Sequence, residues 1–179
     1  MKRVLLPLLA LGLCVCTPLA RAASDYLLEL DGIKGESKDR VHPETIEISS
    51  FSWGCSNPTS VGGGGAGTGK VQFQDFHFSA AVNKSSPLLM LACATGQHIK
   101  SAKLFVRKSG DAGEPVEYYV ITLSDILVSS ISQGGGGAGG GAVPTDQFSL
   151  NFTKITVEYQ ASDGTKTEGT AQRSELAGQ

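Results

Sequence analysis

Between Lys84 and His98 the chain reads Lys-Ser-Ser-Pro-Leu-Leu-Met-Leu-Ala-Cys-Ala-Thr-Gly-Gln-His, the one well-marked helix in a sequence that otherwise alternates like β-strand. Ser85 or Ser86 is placed to cap the first free N–H groups. Pro87 sits where a missing N–H costs nothing, and Gly96 supplies the left-handed residue that ends a helix. The interior Leu88, Leu89, Met90, Leu91, Ala92, Cys93 and Ala94 is apolar almost all round, unlike a solvated surface helix. The pattern predicts a helix covered on most sides. On that reading Leu91→Asp prevents folding, because it leaves an unpaired charge in an apolar surround.

Around this helix the signals are those of strands. Tyr26 to Ile33 opens with an apolar cluster, and Thr45 to Trp53 alternates Ile46 and Ile48 with Glu47. Lys70 to Ser79 puts Val71 and Phe73 on one parity and Phe76 and Phe78 on the other, which predicts a β-bulge near Gln74 and Asp75. Ala102, Leu104 and Val106 run into a Gly- and Asp-containing turn at Ser109 to Pro115 and then Val116 to Leu123, a hairpin by pattern. Ile126 to Ile131 continues as the same bent strand or its neighbour. Phe148, Leu150 and Phe152 change parity to Ile155, Val157 and Tyr159, predicting a second bulge. Six to eight strands and one helix give a mainly β fold, an antiparallel β-barrel or sandwich with one packed α-helix.

At the start of the chain, Lys2 and Arg3 precede an apolar run from Val4 to Cys16, and Ala20-Arg21-Ala22 presents small residues where a signal peptidase reads. The expected organisation is a signal peptide over 1–22, a barrel domain over 23–160 and a polar, flexible tail over 161–179. No later segment approaches the roughly 20 apolar residues of a membrane-spanning helix, so no membrane insertion is expected. Removing residues 1–22 leaves 12 basic and 17 acidic residues, a formal charge of −5, which argues against nucleic acid as a partner. Of the four cysteines, Cys55 and Cys93 survive processing. Free thiols are the favoured reading, since Cys93 lies in the apolar helix and Cys55 follows a strand of unrelated sequence; a disulfide is the alternative.

Reactive chemistry is offered at several places and fails at each. Gly64 to Lys70 fits most of a phosphate-binding loop, but Val71 stands where a magnesium-ligating Ser or Thr belongs, and a strand follows in place of a helix. His42, His77 and His98 have no partners at metal-ligand spacing. No serine sits in a nucleophile elbow. Asp31, Glu36, Asp39 and Glu44 cluster as a charged loop without the order of a calcium site. No catalytic, cofactor or metal residue is therefore assigned, and no cofactor is expected. The glycine tracts Gly62 to Gly69 and Gly134 to Gly141 read as mobile connectors.

Taken together, Gly35-Glu-Ser-Lys-Asp39, Ser52-Trp-Gly54, Gly69-Lys70 with Asp75, Lys84 to Cys93, Ala102-Lys-Leu104 with Arg107-Lys108, Ile121-Thr-Leu123 with Val128-Ser-Ser130, and Leu150 to Tyr159 form an ordered pattern. It resembles the haemolysin-coregulated protein (Hcp) family, the tube subunit of type VI secretion systems, from about Tyr26 to Gln160. The resemblance implies a small antiparallel β-barrel with one packed helix, assembling as a homohexamer whose rings stack into a hollow tube that carries effectors, with no catalysis. Its implied partners are further copies of itself and the sheath, spike or effector proteins of a type VI system. The segment holding Ser56, Asn57, Pro58, Thr59, Val61, Gly62, Gly65 and Thr68 is similar to the family's extended ring-stacking loop; a plain disordered connector is the alternative.

The apparent signal peptide departs from that pattern, because a tube subunit is loaded from the cytoplasm. Two localisations stay open: secreted or periplasmic by way of the signal, or cytoplasmic and then secreted by a type VI system. The second functional reading is an exported barrel of the same fold acting as a binding module or hydrolase without a secretion apparatus.

Overall fold

The computed structural model describes residues 25–57, 71–110, 114–136 and 143–173. The expected signal peptide over 1–22 and the phosphate-loop-like tract lie outside the described residues. Strands β1 (Asp25–Leu30), β2 (Ile46–Ser52), β3 (Cys55–Ser56), β4 (Gln72–Phe73) and β5 (Phe76–Ala81) lead into helix α1 (Ser86–Thr95). Strands β6 (His98–Ser109), β7 (Pro115–Gly134), β8 (Thr145–Gln160) and β9 (Lys166–Gln172) follow. One antiparallel sheet runs in the order β5-β2-β1-β6-β7-β8-β9. It closes on itself because β5 also pairs with the first part of β8, Phe76 opposite Leu150 through Ala81 opposite Thr145. The fold is therefore the expected antiparallel barrel with one helix.

Closure allows alternating side chains to fill one interior. Leu28, Ile46, Phe76, Leu104, Ile121, Ile126, Leu150 and Phe152 are all fully buried there. A run of stacked rings crosses it, with Phe76 on Phe78 at 4.7 Å between centroids and Phe78 on Phe148 at 5.2 Å. Helix α1 adds Leu89 and Ala92 to the same core. Its N-terminus is held from the barrel wall: the Ser86 hydroxyl donates to the buried Asp146 carboxylate at the start of β8, whose other oxygen accepts from Gln133 Nε2 at 2.8 Å. Ser85 is the capping residue but makes no side-chain cap bond. Gly96 ends the helix at φ 65, as its position in the sequence predicts.

The helix is not covered on most sides, however. Ser86, Leu89 and Ala92 are buried, whereas Leu88, Met90 and Leu91 are 43%, 52% and 51% exposed. The expectation that Leu91→Asp prevents folding is corrected accordingly, since a charge at this position reaches water. The all-round apolar pattern reports two faces, only one of which the described residues cover.

The two predicted bulges resolve differently from expectation. At Gln74 and Asp75 the pairing stops altogether, separating β4 from β5, and Asn151 Nδ2 donates to the Asp75 carboxylate at 2.7 Å. In β8 the parity change is real, but no register shift accompanies it. Ile99, Ile126 and Phe152 lie opposite one another and are buried; three residues along, Ala102, Leu123 and Ile155 do the same. All three strands thus exchange their inward and outward faces along one line. Asp125 absorbs the turn at φ 50, and its carboxylate is held by Thr153 Oγ1 and His98 Nδ1, each at 2.8 Å. The one shift between β7 and β8 falls elsewhere, between Val128 and Ser130.

The polar segment expected to be a flexible tail also departs from expectation. A turn at Ala161 to Thr165, with Gly164 at φ 86, returns the chain so that β9 pairs with β8 from Lys154 opposite Gln172 to Gln160 opposite Lys166. Backbone hydrogen bonds hold this edge strand while most of its side chains stay in water, so hydrophobic patterning had nothing to register. Residues 174–179 lie outside the described residues. Cys55 is exposed on β3 and Cys93 half-buried on α1; both are free thiols. Leu89→Ala is expected to lower unfolding free energy by about 3 kcal/mol, the range for emptying a fully buried leucine site, read by chemical denaturation.

Candidate assembly surfaces

The carboxylates and histidine of the loop between β1 and β2 are not a loose charged turn. Residues 34–45 fold back over the outside of β6 and β7, where alternation turns Phe105 and Arg107 away from the barrel interior. The His42 ring stacks on Phe105 at 3.8 Å between centroids, and its Nε2 lies 2.6 Å from Glu117 Oε1. Arg107 is buried, with Nη1 2.7 Å from Asp39 Oδ2 and Nη2 3.5 Å from Asp25 Oδ2. Desolvation pushes the Asp39 carboxyl up, but the backbone N–H of His42, the Arg107 guanidinium and the Val41 N–H outweigh it and hold it below the ordinary carboxylate range. Gly35 lets the two ends of the loop lie against each other, since a Cβ there would meet the Thr45 carbonyl oxygen at 2.2 Å. These polar groups bond to one another, so their chemistry is that of a clasp.

Strands β3 and β4 form a separate two-stranded arm, Cys55 opposite Phe73 and Ser56 opposite Gln72. Ser56 and Asn57 are exposed at its tip. The rest of the expected stacking loop, Pro58, Thr59, Val61, Gly62, Gly65 and Thr68, lies outside the described residues. The arm is tied to the barrel by Arg173, whose Nη2 donates to the Phe73 carbonyl at 3.2 Å, and by Phe73 packing edge-on to Phe152.

Strand edges make up a second uncommitted surface. β1 pairs with β2 only from Ile46 to Ile48, so Ser50 to Ser52 have β5 on one side and no described strand on the other. β6 pairs with β7 only as far as Leu127, leaving β8 as the one described strand beside Val128 to Gly134. These two open segments bound a four-stranded strip in the order β2, β5, β8, β7. Its outer face carries Ser52, His77, Ser79, Ser130, Ser132 and Gln147 around a shallow groove of about 450 Å³. His77 is exposed there, on the outward side of its strand as its alternation predicts. The apolar outer side of α1 is a third such surface.

Among the described residues, no three His, Cys, Asp or Glu side chains converge as a metal site. What the described residues present is a small closed β-barrel with open strand edges, a two-stranded arm and an apolar helix face. Comparison with known proteins identifies the family. The sequence model described as "Type VI secretion system effector, Hcp" matches residues 27–159, and the chain belongs to this family. Protein hcp1 of Pseudomonas aeruginosa is 45% identical over 150 residues, which cover 82% of this chain and 91% of that protein. The solved Hcp1 of Salmonella typhimurium superposes with a TM-score of 0.72 at 31% identity, covering 86% of this chain and 97% of that one. A type VI secretion system effector from Yersinia pestis gives 0.70 at 26% identity, covering 83% and 99%.

Sequence reasoning found the barrel and the family but missed the clasp. The outward parity of Phe105 and Arg107 was readable; nothing local linked them to Asp39 and His42. Because Asp39 titrates below its unfolded value, its contribution is present above about pH 4 and is lost as pH falls through the folded value. Amide-exchange protection at Val41 and His42 is expected to collapse in that acid range, and Asp39→Asn is expected to remove the acid-dependent step.

Proposed function

We propose that this chain is a structural subunit of a type VI secretion tube: copies close into a six-membered ring, rings stack into a hollow tube, and effectors travel inside it. Membership of the Hcp family supports the reading, and the open edges of the β2-β5-β8-β7 strip carry its geometry. An antiparallel strip with an even number of strands has outer strands that run in opposite directions. A rotated copy that brings its β2 beside β7 therefore continues the sheet antiparallel. The two edges differ, so the contact is head to tail and closes by rotation. A structural role of this kind needs no catalytic centre. The arm formed by β3 and β4, with the loop it carries, is the candidate for contact between rings.

The purified protein without residues 1–22 is expected to sediment as a hexamer and to show six-fold rings by negative-stain microscopy. A strict monomer at high concentration would contradict this reading and favour the exported binding module or hydrolase. Residues 1–22 are read as an export signal, so N-terminal sequencing of protein from culture fractions is expected to give a start near Ala23 outside the cytoplasm. An intact Met1 start would return the subunit to loading from the cytoplasm.

A further inference from the structure

Helix α1 carries no charged side chain from Ser86 to Thr95, and its two sides are used differently. Leu89 and Ala92 enter the core, packed in one cluster with Val128 of β7, which places the helix on the interior side of β7. Leu88, Met90 and Leu91 face outward and are about half exposed. Three large apolar side chains side by side on one short helix are more than isolated surface hydrophobics, and such patches mark contact sites.

We propose that this outer side of α1 is a lateral contact between neighbouring copies of the chain, resting on the ring reading above. Continuity carries the assignment. α1 lies against the strand whose open edge, Val128 to Gly134, receives the next copy's β2. Whatever stands on the interior side of β7 then faces whatever stands on the interior side of the arriving β2. That surface is aromatic: Phe51 and Tyr26 are only half-buried and meet edge to face at 5.2 Å. A charge-free leucine and methionine face against half-buried rings is a neutral, apolar match. Each subunit's helix α1 is thus packed between its own barrel and its neighbour's.

The test compares wild type with Leu91→Asp, Met90→Lys and the conservative Leu91→Ile by sedimentation and negative stain, with circular dichroism and melting on each. Both charged variants are expected to fold and melt as wild type does, yet to need about a hundredfold more protein to form rings, as a charge buried in an apolar contact requires. Leu91→Ile keeps rings at wild-type concentrations. Rings from both charged variants at wild-type concentrations would overturn the assignment and leave the helix face to a different protein. Unfolding of both would also overturn it, by showing that another segment of the same chain covers the face. A wild-type protein that never forms rings would instead remove the ring reading on which the assignment rests.

Discussion

The pairing of β5 with the first part of β8 is the contact on which the architecture depends. It joins strands more than sixty residues apart and converts a curled sheet into a closed barrel, so that Phe76, Phe78, Phe148 and Leu150 share one interior. The same stretch of β8 holds Asp146, a buried carboxylate that is costly unless hydrogen-bonded. Its partners are Ser86 in the first turn of α1 and Gln133 near the end of β7. Closure of the barrel and seating of the helix therefore meet in one stretch of β8. Without β5 in place, Leu89 would lose the phenylalanines that complete the core into which it packs.

Past the closure β8 diverges from β5 and serves β9, and the change of partner needs a change of direction. The common line at which β6, β7 and β8 exchange inward and outward faces supplies it. A single strand switching parity would expose its own apolar residues and bury polar ones on one side of the line. Three neighbours switching together keep Ile99, Ile126 and Phe152 inside on one side, and Ala102, Leu123 and Ile155 inside on the other. The left-handed backbone at Asp125 is a local strain that the surrounding pairs hold in place. Arg173 and Asp75 fill the corner between β5 and β9, where Arg173 also donates to the Phe73 carbonyl.

What was legible in the sequence was whatever repeats locally. Alternation located β1, β2, the β6 and β7 hairpin and β8, and the capping and glycine signals at Pro87 and Gly96 bounded the helix within two residues. Two kinds of information were not local. Parity breaks at Gln74 and at Thr153 were visible, but whether each is a bulge, a break or a concerted bend depends on what the neighbouring strand does. The strand Lys166–Gln172 has almost no apolar content, because backbone bonds do most to retain it, with only Ala171 packed against the core. The clasp of Asp39 and His42 over Arg107 and Phe105 was invisible for a third reason: charge patterns in a loop do not encode which distant arginine they will meet. The half-exposed face of α1 was misread as buried because composition records that a surface is apolar, not whether the rest of the fold reaches it.

The open edges of this molecule are chemically unequal, and that inequality bears on assembly. An exposed strand edge invites unwanted pairing, and proteins guard such edges with charge. The outer strand β9 follows that rule, placing Lys166 and Glu168 along an exposed edge and a glycine between them and the barrel corner. The open parts of β2 and β7 do not. Ser50 and Ser52 on one, and Ser129, Ser130, Ser132 and Gln133 on the other, bring no charge to either edge. The register shifts in β2 near Ser50 and in β7 near Ser130 fall at the points where pairing to β1 and to β6 has ended. An unguarded edge of this kind is a liability in a solitary barrel and a requirement in one that continues its sheet into a neighbour. The guarded β9 edge can then face water in either state. The distribution of charge along the edges thus separates a strand guarded against further pairing from two that are open to it, independently of any likeness to other proteins.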